Sequence, residues 1–207
     1  MSTPPGLKPL FVTEIYQAHL GESPSQQDLI VSLHEAILDL AEMDRAGQLW
    51  CREHGYRGYT SYGSLSDLPL RDPLFAELKR HLDRHALAYA RALQLDMGRK
   101  PRLDSLWVNV LKPGAGHSGH IHPHSVISGT LYVSVPEGAS ALKLEDPRLG
   151  LMMARPTVQT GAPEQRQPFV YLTPRPGTVL MWESWLRHEV PPNGARKPRI
   201  SISFNYR

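Results

Sequence analysis

The sequence predicts a mainly β fold of the sandwich, jelly-roll or barrel type, preceded by helices. Three observations carry this. Beyond residue 100 the chain breaks into seven short segments of alternating or apolar character. Proline-glycine turns divide them, at Pro113-Gly114, Pro136-Glu137-Gly138, Pro176-Gly177 and Pro191 to Gly194. Before residue 100, two stretches instead repeat apolar residues every three to four positions. The length of 207 residues suits one structural domain, with residues 1–100 as a helical part packed on a β core of residues 101–207.

In chain order, LKPLFVTEIYQAHL (7–20) reads as a strand. Residues 24–46 place Leu29, Leu33, Ile37 and Leu40 on one helical stripe, with Ser23 or Ser25 to cap its start. GYRGYTSYGSLSDLP (55–69) reads as a loop whose Gly and Tyr content suits a lid. Residues 73–97 repeat the helical pattern with Leu74, Leu78, Leu82, Ala86, Tyr89 and Leu93; Pro73 suits a first turn and Gly98 a stop. Strands follow at 105–112, 127–136, 141–147, 169–174, 178–184, 186–192 and 199–207. The 147–168 loop is a candidate cover for a site.

Composition narrows the function. The net charge is +3 and the pI about 9.1, but the cations are scattered, so nucleic acid is not an expected partner. A few placed arginines suit a small anion. The single cysteine, Cys51, excludes a disulfide within the chain and is expected to be a small buried hydrophobe in a reducing compartment. The start lacks a signal-like apolar region and no apolar run approaches membrane-spanning length, so no membrane partner and a cytoplasmic location are expected. No nucleophile elbow or phosphate-cradling GxxxxGK loop is present. His81 and His85 share a helix face, but no third ligand accompanies them, and they are expected at the surface.

The segment GHSGHIHPHS (116–125) is different. It holds four of the ten histidines: His117, His120, His122 and His124. On extended backbone His120 and His122 point to one face and can grip one divalent metal. His188, in WESWLRHEVPPN, is the only later histidine and supplies a third ligand. The alternative is a loose surface tract without consequence. The last strand alternates strictly: Arg199, Ser201, Ser203 and Asn205 face one way, Ile200, Ile202 and Phe204 the other. An inward Arg199 with Ser201 beside it would bind a carboxylate bidentately. An exposed polar edge is the competing interpretation.

Together, HxH, SGTLYVSVP, RHEVPPN and RISISFN resemble the 2-oxoglutarate- and iron(II)-dependent oxygenases, and more narrowly a bacterial and phage group with an HxHP…SGxxYV…P segment. The resemblance covers about residues 105–207. It implies a double-stranded β-helix, or jelly roll, with helices outside the larger sheet. It implies Fe(II) held by His120, His122 and His188, and 2-oxoglutarate held by Arg199 and Ser201, with Tyr132 beside them. Asn109 and Asn205 extend this set as polar lining. The implied reaction converts 2-oxoglutarate to succinate and hydroxylates a C–H bond of a small-molecule or peptide substrate. The chain departs from the wider superfamily in its HxH, where HxD or HxE is usual; a neutral ligand replaces an anion and leaves the site more positive by about one charge. Asp146 is the one carboxylate considered as a further ligand, against its simpler role as a turn residue before Pro147. Cupins share three histidines on a jelly roll, so a cupin-like dioxygenase without 2-oxoglutarate is one alternative. A non-catalytic metal-binding barrel is another.

Overall fold

The computed structural model describes residues 6–207. Its elements are β1 (Tyr16–His19), α1 (Pro24–Met43), α2 (Arg45–Glu53), β2 (Gly58–Thr60), α3 (Leu68–Arg71), α4 (Pro73–Ala92), β3 (Leu103–Leu111), β4 (His117–His120), β5 (Ile127–Ser134), β6 (Leu142–Glu145), β7 (Phe169–Leu172), β8 (Thr178–Glu183), β9 (His188–Val190) and β10 (Arg199–Tyr206). The strands form two antiparallel sheets, a six-stranded one in the order β1-β8-β5-β10-β3-β2 and a four-stranded one in the order β4-β9-β6-β7. The fold is the mainly β jelly roll with N-terminal helices that the sequence predicts.

Side-chain alternation explains the layering. On β10, Ile200, Ile202, Phe204 and Tyr206 enter an apolar core with Leu33 and Ile37 of α1 and Leu78, Leu82 and Ala86 of α4. The odd positions, Arg199 to Asn205, line an interior cavity instead. The neighbouring strands β3, β5 and β8 sort the same way: Val108, Leu131 and Met181 face the helices, while Asn109, Tyr132 and Trp182 face the cavity. A second, smaller core of Leu111, Leu142, Leu144, Leu180 and Leu186 lies between the sheets. Each fully buried leucine contributes roughly 1.5–3 kcal/mol.

Several elements differ from the sequence expectation. Of residues 7–20, only Tyr16–His19 forms a strand, paired with β8. The 24–46 helix breaks at Asp44, which ends α1 and caps α2 by accepting from the Gly47 N–H at 3.0 Å. Asp44 also accepts from Tyr59 and Ser64 hydroxyls, so a polar hub outside the periodic pattern fixes the break. Helix α4 stops at Ala92. The 55–69 stretch is not a free lid: β2 within it pairs with β3, Tyr59 against Val110. Cys51 is buried as expected.

Gly177 and Gly129 are among the glycines that close approach requires. At Gly177, φ is +85° and a Cβ would stand 2.1 Å from the Leu20 carbonyl oxygen. Gly129, opposite Phe204 in the β5–β10 register, is covered by that ring; a Cβ there would lie 2.4 Å from Phe204 Cε2 and 2.7 Å from the Leu180 carbonyl oxygen. Gly129→Val is therefore expected to destabilise by about 1–3 kcal/mol, read as a Tm lower by several degrees. An unchanged Tm would mean the ring simply swings aside.

Candidate active site

The three histidines arrive from two neighbouring strands of the smaller sheet. His120 ends β4 and His188 opens β9, and the two are direct register partners. His122 follows β4, with its backbone N–H held by the Ser184 carbonyl at 3.0 Å. One ligand atom from each lies within 4.8 Å of the others. The ring centroids of His120 and His188 are 4.3 Å apart.

Each ring is oriented through its Nδ1. His120 Nδ1 donates to the Ser118 carbonyl at 2.7 Å, and His188 Nδ1 donates to the Leu186 carbonyl at 2.9 Å, both two residues back along the chain. His122 Nδ1 donates to Asn205 Oδ1 at 2.7 Å. A carbonyl oxygen can only accept, so the proton sits on Nδ1 in all three and each Nε2 presents a lone pair. His122 Nε2 is buried and has no hydrogen-bond partner, the condition expected of an atom that coordinates a metal. Burial holds the His188 imidazole down to about 3, and it also lowers His122. These rings stay neutral, as ligation requires.

Asn205 thus supports the His122 ring. Its Oδ1 also accepts from Ser128 at 2.8 Å, Ser128 bonds Ser184 at 2.7 Å, and its Nδ2 donates to Ser105 at 3.2 Å. Removing this support in Asn205→Ala is expected to weaken metal affinity by about 10–100-fold, measured by metal titration. Equal affinities would show that the His122 ring needs no partner.

Arg199 lies at the start of β10, only 2% exposed. Its Nη1 donates to the Ser140 carbonyl at 3.0 Å, and its Nε is buried without a partner. The guanidinium stands over the Tyr132 ring, 5.3 Å from the centroid. Among the described residues no carboxylate forms a salt bridge with it. Burial lowers its pKa. A buried cation without an anion is costly, and a ligand carboxylate would supply the missing partner. Ser201 is buried on the same strand face.

These residues share one cavity of about 540 Å³, which also receives Tyr56, Thr60, Tyr62, Trp107 and His124. Asn109 lines it, but its amide is engaged: Oδ1 accepts from Thr60 at 2.9 Å and Nδ2 donates to Ser203 at 3.1 Å. His117 Nε2 bonds the Tyr56 hydroxyl at 2.8 Å, and burial with Arg199 nearby lowers its pKa to about 4. His124 is exposed at the rim.

Asp146 does not join the histidine group. Its carboxylate accepts from Arg148 Nε and Nη2 at 3.0 and 2.8 Å and from the Arg148 N–H, a local turn that leaves it outside the histidine cluster. The 147–168 loop does not line the cavity, and Trp185 is exposed. His85 Nδ1 bonds the Tyr16 hydroxyl at 2.9 Å, and His81 bonds Arg84, so neither joins a metal pair. Missed by sequence reading were Tyr56 and Thr60, whose contacts span about fifty residues, and Ser128, which inward alternation with Thr130 and Tyr132 could have found.

Residues 105–205 match the family model described as "Putative 2OG-Fe(II) oxygenase". No curated protein matches the chain. Among solved structures, the non-heme α-ketoglutarate-dependent carbocyclase SnoK from nogalamycin biosynthesis is similar at a TM-score of 0.65 and 12% identity, over 94% of this chain and 79% of its own. HygX from Streptomyces hygroscopicus, with nickel and 2-oxoglutarate bound, is similar at 0.61 and 16% identity, over 94% and 82%. A prolyl-4-hydroxylase from Pseudomonas putida is similar at 0.56 and 16% identity, over 94% and 92%. At such identities these structures speak for the fold, and the family model speaks for the chemistry. Residues 105–205, which carry the three histidines and Arg199, match the 2OG-Fe(II) oxygenase family, dioxygenases that use iron(II) and 2-oxoglutarate.

Proposed function

We propose that the protein is a hydroxylase-type oxygenase acting on a C–H bond of a small-molecule or peptide substrate. The observation that carries this is one cavity holding three Nε2 lone pairs and a buried arginine without a carboxylate. His120, His122 and His188 would hold the iron. Arg199 and Ser201 would take the far carboxylate of 2-oxoglutarate, with Tyr132 packed beneath the guanidinium. When bound, the metal and cosubstrate supply the oxidising chemistry.

The chain's own residues bind, orient and exclude water. Neutral imidazoles keep their lone pairs available, and their Nδ1 bonds fix the ring planes. Tyr62 stands edge-on against Trp107, centroids 5.3 Å apart, and Trp107 stacks near His122 at 6.0 Å, an aromatic wall beside the metal ligands. This wall shields the reacting position and offers a surface for substrate. Neither nucleic acid nor membrane is a proposed partner, and no described helix is long and apolar enough to cross a membrane.

The test is aerobic incubation of the Fe(II)-loaded protein with 2-oxoglutarate carrying labelled C1, measuring labelled CO₂ and succinate. Slow oxygen-dependent release of both, lost in His122→Ala, is expected. The all-histidine ligand set favours one rival, a cupin-like dioxygenase that ignores 2-oxoglutarate. Oxygen uptake without succinate would establish that rival, and iron binding without any oxygen chemistry would leave a binding barrel.

A further inference from the structure

Four buried side-chain polar atoms among the described residues have no hydrogen-bond partner: His122 Nε2, Ser140 Oγ, Trp182 Nε1 and Arg199 Nε. The metal accounts for the first. The far carboxylate accounts for Arg199, and Ser140 adjoins that arginine through its own carbonyl. Trp182 is unexplained. We infer that the Trp182 indole N–H donates to an oxygen at the metal-chelating end of 2-oxoglutarate, which makes Trp182 a cosubstrate-binding residue of this site. The inference rests on the Fe(II)/2-oxoglutarate reading given above.

Indole nitrogen is a donor only, and a buried N–H left unmade costs about 1–3 kcal/mol. Trp182 is 3% exposed and belongs to the small apolar core between the sheets, where phenylalanine would pack without that cost. The ring lies edge-to-face on His188, centroids 4.6 Å apart at 62°. That puts it beside a candidate metal ligand, in the cavity that Tyr132 and Arg199 line from the same six-stranded sheet. Finally, the three atoms not assigned to the metal are all donors, or in Ser140 a hydroxyl that can donate. The complement is a ligand with more than one acceptor oxygen, as a keto diacid has.

Trp182→Phe keeps an aromatic ring on His188 and deletes the donor. Mn(II)-loaded protein is titrated anaerobically with 2-oxoglutarate by calorimetry. The expected result is a Kd about 10–100-fold higher in the variant, the range for a hydrogen bond to a charged group, with Mn(II) affinity unchanged. In the Fe(II) form, the metal-to-cosubstrate charge-transfer band of the variant should also shift. A measurement on the unaltered protein is independent of the variant's folding. With ¹⁵N-indole labelling of the four tryptophans, one indole signal of the Zn(II) form should move downfield on adding 2-oxoglutarate. Equal Kd values, or no indole signal moving, would overturn the inference. So would a loss of Mn(II) affinity in Trp182→Phe with 2-oxoglutarate binding otherwise normal, because the indole would then be a packing support for His188. Failure of the wild-type protein to bind 2-oxoglutarate would instead sink the cosubstrate reading itself.

Discussion

Arg199→Met is expected to lose 2-oxoglutarate binding by at least about 30-fold while making the ligand-free protein more stable. Both effects follow from one feature. The guanidinium is buried, donates to a single backbone carbonyl and faces no carboxylate among the described residues. Truncating one member of a buried, hydrogen-bonded charge pair costs about 2–5 kcal/mol of binding, which spans roughly 30-fold to several thousand-fold. Without ligand the same charge is only a desolvation cost, partly relieved by the Tyr132 face. Methionine fills similar length without charge, so stability should rise by about 1–3 kcal/mol. Thermal unfolding and 2-oxoglutarate calorimetry on both proteins check this. A lower Tm in the variant would mean that Arg199 already has its partner within the protein. Unchanged cosubstrate affinity would remove it from the site.

His188→Ala should abolish tight metal binding, with an affinity loss beyond the roughly 100-fold expected for losing a supporting partner. It should also change the acid behaviour of the metal-free protein. His188 is neutral in its buried position and its folded pKa, about 3, lies below the value near 6.5 of an unfolded histidine. The unfolded chain therefore binds more protons between those values, and stability rises with pH across that window. This contribution is fully present above about pH 6.5 and is lost as pH falls toward 3. His117, held near 4 by burial and by Arg199, adds to the same slope. In His188→Ala the slope between pH 4 and 6.5 should flatten, although the cavity beside Trp182 lowers stability at every pH. Denaturant midpoints taken across that range separate the two effects. A slope identical to wild type would show that His188 is already charged in the fold.

Much of this arrangement was legible in the sequence, for physical reasons. Period-two alternation in RISISFN requires opposite faces, and β10 does send Ile202 to the helices and Arg199 to the cavity. The turns at Pro113-Gly114 and Pro176-Gly177 ended strands because few other residues reach positive φ; Gly177 stands at +85°. The HxH spacing put His120 at the end of β4 and His122 just beyond it, close enough for both to join His188. What stayed hidden depends on distant contacts. Asn205 alternates into the cavity, but its bond to His122 spans 83 residues, and nothing local distinguishes a ring support from a cosubstrate contact. The break at Asp44 comes from Tyr59 and Ser64, far along the chain. Asp146 offered a carboxylate near a strand end, yet Arg148 two residues on captures it. Indole burial can be guessed from composition, but an unpartnered indole N–H appears only once neighbours are placed.

The most direct test of the account is an anaerobic titration of the Fe(II)-loaded protein with 2-oxoglutarate, following the weak visible charge-transfer band of the chelate. A band that saturates in wild type, and that needs far more 2-oxoglutarate in Arg199→Met, is the predicted result. Iron bound without any band at saturating 2-oxoglutarate would contradict it.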